Sequence, residues 1–415
     1  MRVNTFAAIN SLIMKKIICL WILFPSLCLM AQNTTKSEEK KWYEKMRLSG
    51  YAQFRYNRLF ETNPDLKCEQ CDRAWGDNNG FSFRRARLQY QGQVHERLFA
   101  YIQFDYSAGV RVKADNSENI HYVQLRDAYF DWGLDAKNEF RIRAGQSKVP
   151  FGFENMQSSS NRLPMDRADA LNSAAPNERD FGVFFMWTPE KIRKLQRDTL
   201  TNSGWKGYGD YGVFTVGVYN GQATNKPELN NSLHSVIKLS YPFKLGNQII
   251  EPGIMAYKGQ YTLTGDQISS GVGYLENKRY QDQRVAIGIV AQPKPIGYMA
   301  EYTRGTSPGY SILQDSIMNM PLEGGYATIC YRKQWKDKIF IPFARTQYYK
   351  GAKKVERDAR YYRLNEYEFG LECLLFKNLE LTGSYVISHR RYSDHSTPEY
   401  NEKGKLFRLQ LQFNY

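Results

Sequence analysis

Four arginines stand in two i, i+2 pairs, Arg85 with Arg87 and Arg141 with Arg143. On an extended strand, residues two apart share a face, so each pair projects both guanidinium groups to the same side. A guanidinium offers a planar fork of donors that fits the oxygens of phosphate or carboxylate, and a ladder of them suits oxyanions. Arg55 and Arg284, and less cleanly Arg345, occupy equivalent faces of other alternating segments. Acids occupy such positions as well, at Asp105, Asp127, Asp131, Glu301, Glu366, Glu368 and Glu372. Two readings stand side by side: a wall that binds anions, and a lattice of salt bridges that stiffens the wall.

Catalysis has little to build on. The five histidines, His95, His121, His234, His389 and His395, are scattered. His234 adjoins Ser235, but neighbours on a strand face opposite ways and cannot form a nucleophile–base pair. No His/Cys/acid spacing suggests a metal site, and no glycine-rich loop leading into a helix offers a phosphate cradle. The sequence therefore reads as a non-enzyme without a cofactor. Of six cysteines, Cys19 and Cys28 fall in the N-terminal leader. Cys68 and Cys71 form a CxxC with no second pair for zinc, and a small loop disulfide is the expectation. Cys330 and Cys373 sit in strand patterns and are expected only to pack.

The elements that must position the arginines are strands. The last segment sets Phe407, Leu409, Leu411, Phe413 and Tyr415 against Arg408, Gln410, Gln412 and Asn414. The first sets Leu48, Gly50, Ala52, Phe54 and Tyr56 against Ser49, Tyr51, Gln53, Arg55 and Asn57. About sixteen such segments follow one another from Met46, among them 296–304 and 324–334, with no helical period between them. The linkers alternate: tight after even segments, as at His95-Glu96 and Lys377-Asn378, and long after odd ones. The exception follows the sixth, where Pro189 to Asp210 is long and charged. Aromatics recur at the tight-turn ends, at Trp132, Trp187, Phe243, Trp335, Phe376 and Tyr415. Alternation, one-sided short turns and an aromatic girdle together predict an all-β fold, a transmembrane antiparallel β-barrel with a water-filled lumen and both termini in the periplasm.

Composition agrees. Mean hydropathy is −0.59, too polar for a helical membrane protein but ordinary for a barrel that hides its apolar surface in every second residue. A single closed sheet can use all 415 residues, where a soluble chain would split into domains. Lys15-Lys16, an apolar run from Ile17 to Met30 and then Ala31 read as a signal peptide over 1–31, with Met1 and Met14 both open as its start. Residues 32–45 read as a periplasmic leader and 46–415 as the barrel. The expected location is the outer membrane of a Gram-negative-type envelope, reached by export through the periplasm. Removing 1–31 takes three positive charges and no acid, lowering the net charge from +15 to +12. That sign favours anionic solutes or lipid head groups, while nucleic acid is not expected beyond the cell envelope.

Several segments resemble the phosphate-selective porin O and P family. They are Gly145-Gln146-Ser147-Lys148-Val149-Pro150-Phe151-Gly152, Phe83-Arg84-Arg85-Ala86-Arg87-Leu88, Leu125-Arg126-Asp127-Ala128-Tyr129, Val218-Tyr219-Asn220-Gly221, Ala300-Glu301-Tyr302-Thr303-Arg304-Gly305 and Pro342-Phe343-Ala344-Arg345. The resemblance implies a sixteen-stranded barrel, usually a homotrimer, that passes small anions such as phosphate by diffusion. It also implies that the third outer loop, Lys148 to Arg179, folds inward and narrows the pore with Lys148, Arg162, Arg167 and Arg179. The aromatic C-terminal residue resembles the signal read by barrel-assembly machinery during insertion into outer-membrane lipid. The alternatives are a general or sugar-permeating porin without anion specificity, and a structural barrel with a blocked lumen. A row of aromatics along the constriction would favour sugars.

Overall fold

The computed structural model describes residues 41–66, 75, 80–108, 121–196 and 206–415. The expected signal peptide, most of the expected leader and the Cys68–Cys71 pair lie outside the described residues. After a 3-10 turn at Trp42–Lys45, the described residues form sixteen antiparallel strands. The first eight are Met46–Leu59, Gly80–His95, Leu98–Ala108, His121–Gly133, Phe140–Lys148, Arg179–Trp187, Phe214–Tyr219 and His234–Ser240, the eighth resuming at Phe243–Leu245. The second eight are Gln248–Thr262, Arg279–Ala291, Ile296–Ser311, Ser316–Tyr331, Lys338–Ala352, Tyr361–Phe376, Leu379–Ser393 and Tyr400–Asn414, the twelfth resuming at Lys333–Trp335. Each strand pairs with its sequence neighbour. The first pairs with the second (Leu48 opposite Tyr90) and with the last (Phe54 opposite Leu411), which closes the sheet and leaves no edge.

The alternation seen in the sequence resolves into two faces. In the last strand Leu411 and Phe413 are exposed while Arg408, Gln410 and Gln412 are buried. In the tenth, Val285, Ile287 and Ile289 are exposed while Asp282 and Arg284 are buried. Apolar side chains turned out and polar ones turned in is the inverse of a soluble protein, and it fits an exterior bathed in hydrocarbon. No described helix is long and apolar enough to cross a membrane. Trp132, Trp187, Phe243, Trp335, Phe376 and Tyr415 are all exposed at the short-turn end, where amphipathic rings suit a membrane interface.

One connection departs from the expected layout. The eleventh and twelfth strands extend to Ser311 and back from Ser316, so a four-residue turn, 312–315, replaces the long loop expected between 304 and 324. Their ladder pairs Thr306 with Pro321 and Ser311 with Ser316. Pro308, Pro321 and the glycines around them mask the strand pattern in the sequence, yet full pairing with the neighbour recovers the extended backbone. Cys330 and Cys373 are free thiols in strands.

The outward faces carry a direct test. Ile287→Arg should cost about 2–4 kcal/mol in the membrane-embedded protein, the range for a cation at mid-bilayer, and Ile287→Leu should cost nothing measurable. Denaturant unfolding in lipid vesicles would read both. Equal stability of the two variants would contradict a lipid-facing Ile287.

Candidate functional site

The segment between the fifth and sixth strands, 149–178, is almost entirely buried, and its partners are inward-facing side chains from the far side of the barrel. It therefore runs through the interior. The sequence sets up the entry: Gly152 has φ 84°, a conformation that costs a glycine little, and a Cβ there would come within 3.0 Å of Leu171. Two four-residue helices follow, Phe153–Met156 and Asp169–Asn172. The exit places Asn177 and Glu178 at φ 63° and 64°. Glu178 is held there by Arg167 and by Arg179 at 2.6 Å.

Helices this short leave most of their backbone donors and acceptors unpaired. Charged wall residues supply the partners. The Glu301 carboxylate accepts the N–H of Phe153 at 2.7 Å and of Glu154 at 2.8 Å. The Lys148 ammonium donates to the carbonyls of Met156 and Gln157, both at 2.8 Å. Arg284 donates to the carbonyls of Ala170 (2.8 Å) and Ser173 (3.1 Å) at the end of the second helix. Negative charge meets the helix start and positive charge the helix ends, as the peptide dipoles require.

Side-chain pairs fasten the rest. Arg345 reaches Glu154 at 3.1 Å and the Asp166 carbonyl at 2.7 Å. Asp166 meets Arg408 of the last strand and Arg55 of the first, the latter at 3.8 Å. Burial alone would raise the Asp166 carboxyl, but Arg408 and Arg55 outweigh it and hold it well below the usual carboxylate range. Asp169 meets Lys353 at 2.9 Å and Arg390 at 3.3 Å. Beneath these, Phe151, Phe153, Met156 and Leu171 pack on Phe184, Met186, Val236, Met255 and Val290 of the wall. One side of the lumen is thus a dry core, whereas the sequence pattern alone implied water throughout.

The remaining arginines are spread over the wall of the first to sixth strands. Arg87 meets Asp105 at 2.9 Å and donates to Tyr51. Arg143 grips Asp131 in a bidentate pair at 2.7 and 2.8 Å. Arg141 meets Asp210 at 2.7 Å, and Arg179 meets Asp127 at 3.0 Å. Arg85 donates to Gln53 at 3.1 Å, and Arg55 to Gln410 at 3.1 Å. Arg167 donates to the carbonyls of Glu154 and Gln157. Arg162 donates to those of Pro164 and Met165. Burial, then repulsion from Arg85, lowers Arg162 to about 10. The interleaved acids thus take up Arg87, Arg141, Arg143 and Arg179.

A second insert was not foreseen as one. The connection flagged as long and charged carries a helix at Glu190–Leu195, and its residues 206–212 then cross the lumen near the short-turn end. Lys206 meets Glu372 at 2.7 Å and Glu380 at 3.0 Å on the fourteenth and fifteenth strands. Tyr208 hydrogen-bonds Glu251 and packs on Phe153, and Lys238 donates to the Gly212 carbonyl at 2.5 Å. Gln157 and Asn161 of the inner segment donate to the carbonyls of Lys206 (2.8 Å) and Gly207 (3.1 Å). The two inserts brace one another. Sequence reasoning also passed over Lys353, Lys354 and Arg390; all three are buried on charged or carbonyl partners.

Glu301→Ala would leave two buried N–H groups without partners, at about 1–3 kcal/mol. Amide exchange at 153–156 should then accelerate about tenfold or more, while the strands keep their protection. Unchanged exchange there would mean that Glu301 does not hold the segment.

Comparison with curated proteins returns no sequence match. Among solved structures, the fold is similar to the outer membrane channel DcaP of Acinetobacter baumannii, with a TM-score of 0.54 and 15% identity over 89% of this chain and 97% of that one. It is similar also to OmpF of Salmonella typhi, solved in complex with daunomycin, with a TM-score of 0.51 and 12% identity over 89% and 97% of the two chains. At such identities the likeness speaks for the fold, a closed porin barrel. A family model for phosphate-selective porin O and P matches residues 64–415. Fold and family make this a non-enzymatic outer-membrane channel, and the chain belongs to the phosphate-selective porin O and P family.

Proposed function

We propose that the protein is a passive diffusion porin that favours small anions such as phosphate, with its narrowest zone between the inner segment 149–178 and the arginine-bearing wall. One observation carries the sign of the preference. Arg162 faces only the carbonyls of Pro164 and Met165, with no carboxylate in salt-bridge range among the described residues. The Arg162 Nη1 donor has no hydrogen-bond partner there. Uncompensated positive charge at a constriction raises the local concentration of anions. The paired arginines Arg87, Arg141, Arg143 and Arg179 spend their charge on acids, so the preference they add is modest and their main effect is a stiff wall. A homotrimer fits the family and is part of the same proposal. Diffusion of this kind needs no cofactor.

Reversal potentials across a KCl gradient test the assignment, with phosphate then competing against chloride. Arg162→Gln should shift the reversal potential toward the cation-selective side. The double variant Arg87→Gln/Asp105→Asn, which removes one charge of each sign, should leave it nearly unchanged. Cation preference in the wild type would overturn the reading.

The inner segment also predicts a pH response. Asp166, with its carboxyl held low in the folded protein, contributes stability above the unfolded value of ~3.9 and loses it as pH falls through the lower folded value. The stability difference between wild type and Asp166→Asn should therefore stay level from pH 7 to 5 and shrink only below about 4. A change centred near pH 6 would assign the response to another group.

A further inference from the structure

Where the two inserts meet the wall of the third to fifth strands, a cavity of about 210 Å³ remains. Its lining includes Tyr101, Gln103, Tyr129, Arg143, Asn161 and Tyr211. The aromatic groups form a stack. Tyr101 and Tyr129 lie 5.1 Å apart at 16°, and the Arg143 guanidinium sits 4.2 Å from the Tyr129 ring centre and 5.2 Å from that of Tyr211.

The charges around this cavity are spent. Arg143 is gripped by Asp131 on both arms, Arg179 by Asp127, and Asp210 by Arg141 and Thr188. Lys148, also in the lining, is turned to two carbonyls. What remains unsatisfied is neutral. Gln103 is 3% exposed and donates through Nε2 to the Tyr101 hydroxyl at 2.9 Å, which leaves its Oε1 buried with no partner. The Tyr129 and Tyr211 hydroxyls likewise have no hydrogen-bond partner among the described residues. A buried acceptor left empty costs free energy that a bound hydroxyl would recover.

We infer that this cavity is a binding subsite for a neutral, hydroxylated ring of monosaccharide size. The volume holds about seven waters at ~30 Å³ each and falls below the ~300 Å³ of sites for larger ligands. Tyrosine edges with free hydroxyls supply both apolar surface and hydrogen bonds. A phosphate ion would find Arg143 and Arg179 already paired with carboxylates, Lys148 tied to two carbonyls and the carboxamide oxygen repulsive. The inference rests on the channel reading for access, but the site itself is defined by its own contacts.

D-Glucose is the probe, used in two measurements on the full-length protein. In planar bilayers, glucose should reduce the ion current saturably, where a dextran too large to enter, matched for viscosity, should not. Calorimetry on the detergent-solubilised protein should show one saturable glucose site per chain. The double variant Tyr129→Phe/Tyr211→Phe, which keeps the stack and removes only hydroxyls, should weaken both effects about tenfold per hydroxyl removed. Gln103→Met should act in the same direction. Absence of saturable glucose heat, or equal affinity in wild type and double variant, would overturn the subsite. Inorganic phosphate binding in place of glucose would overturn the neutral-ligand assignment. Absence of ion current from folded wild type would overturn the channel reading instead, and calorimetry would still decide the subsite.

Discussion

The architecture depends on how the wall answers the unpaired backbone of the inner segment. Two helices of four residues each cannot satisfy themselves, and in the interior of a barrel every orphaned N–H or C=O is expensive. Glu301, Lys148 and Arg284 meet these groups with the sign of charge each helix end requires. The segment therefore stays put because the wall completes it. Its own propensity would not suffice, since isolated helices of this length do not persist in water. The charges commonly read as solute contacts are first of all the segment's caps and clamps.

The same economy runs through the wall. Buried ion pairs contribute little net stability over well-packed apolar residues, but removing one partner is costly. Arg143 with Asp131 and Arg87 with Asp105 thus fix one arrangement of a polar interior that could otherwise repack. On the proposed function, selectivity falls to the few groups that the lattice leaves over.

Much of the fold was legible because a barrel writes its two environments into alternate residues. Phe407, Leu409 and Leu411 against Arg408, Gln410 and Gln412 gave the orientation of the last strand directly. The aromatic girdle and the side of the tight turns followed the same logic. Legibility failed where long-range partners override local pattern. Residues 305–323 read as loop because two prolines interrupt the alternation, although the ladder accepts both. The stretch from Pro189 to Asp210 read only as a long, charged exception to the tight turns. Lys206 gains its place only from Glu372 and Glu380, more than a hundred residues away in sequence. Spacing set the strand arginines on the face opposite the apolar residues, but direction alone cannot tell whether a guanidinium is spent. Arg143 on its strand and Arg162 in the loop were both expected to face solute, and they differ entirely in their partners.

Asp166 contacts Arg55 on the first strand and Arg408 on the last, the two strands whose pairing seals the cylinder. A side chain from mid-chain therefore clasps both margins of the seam. Such a clasp forms only once the two ends of the polypeptide have come together, and it then resists their parting. Sealing the cylinder and seating the segment become a single cooperative event, so a half-seated segment would weaken the very join that makes the wall continuous.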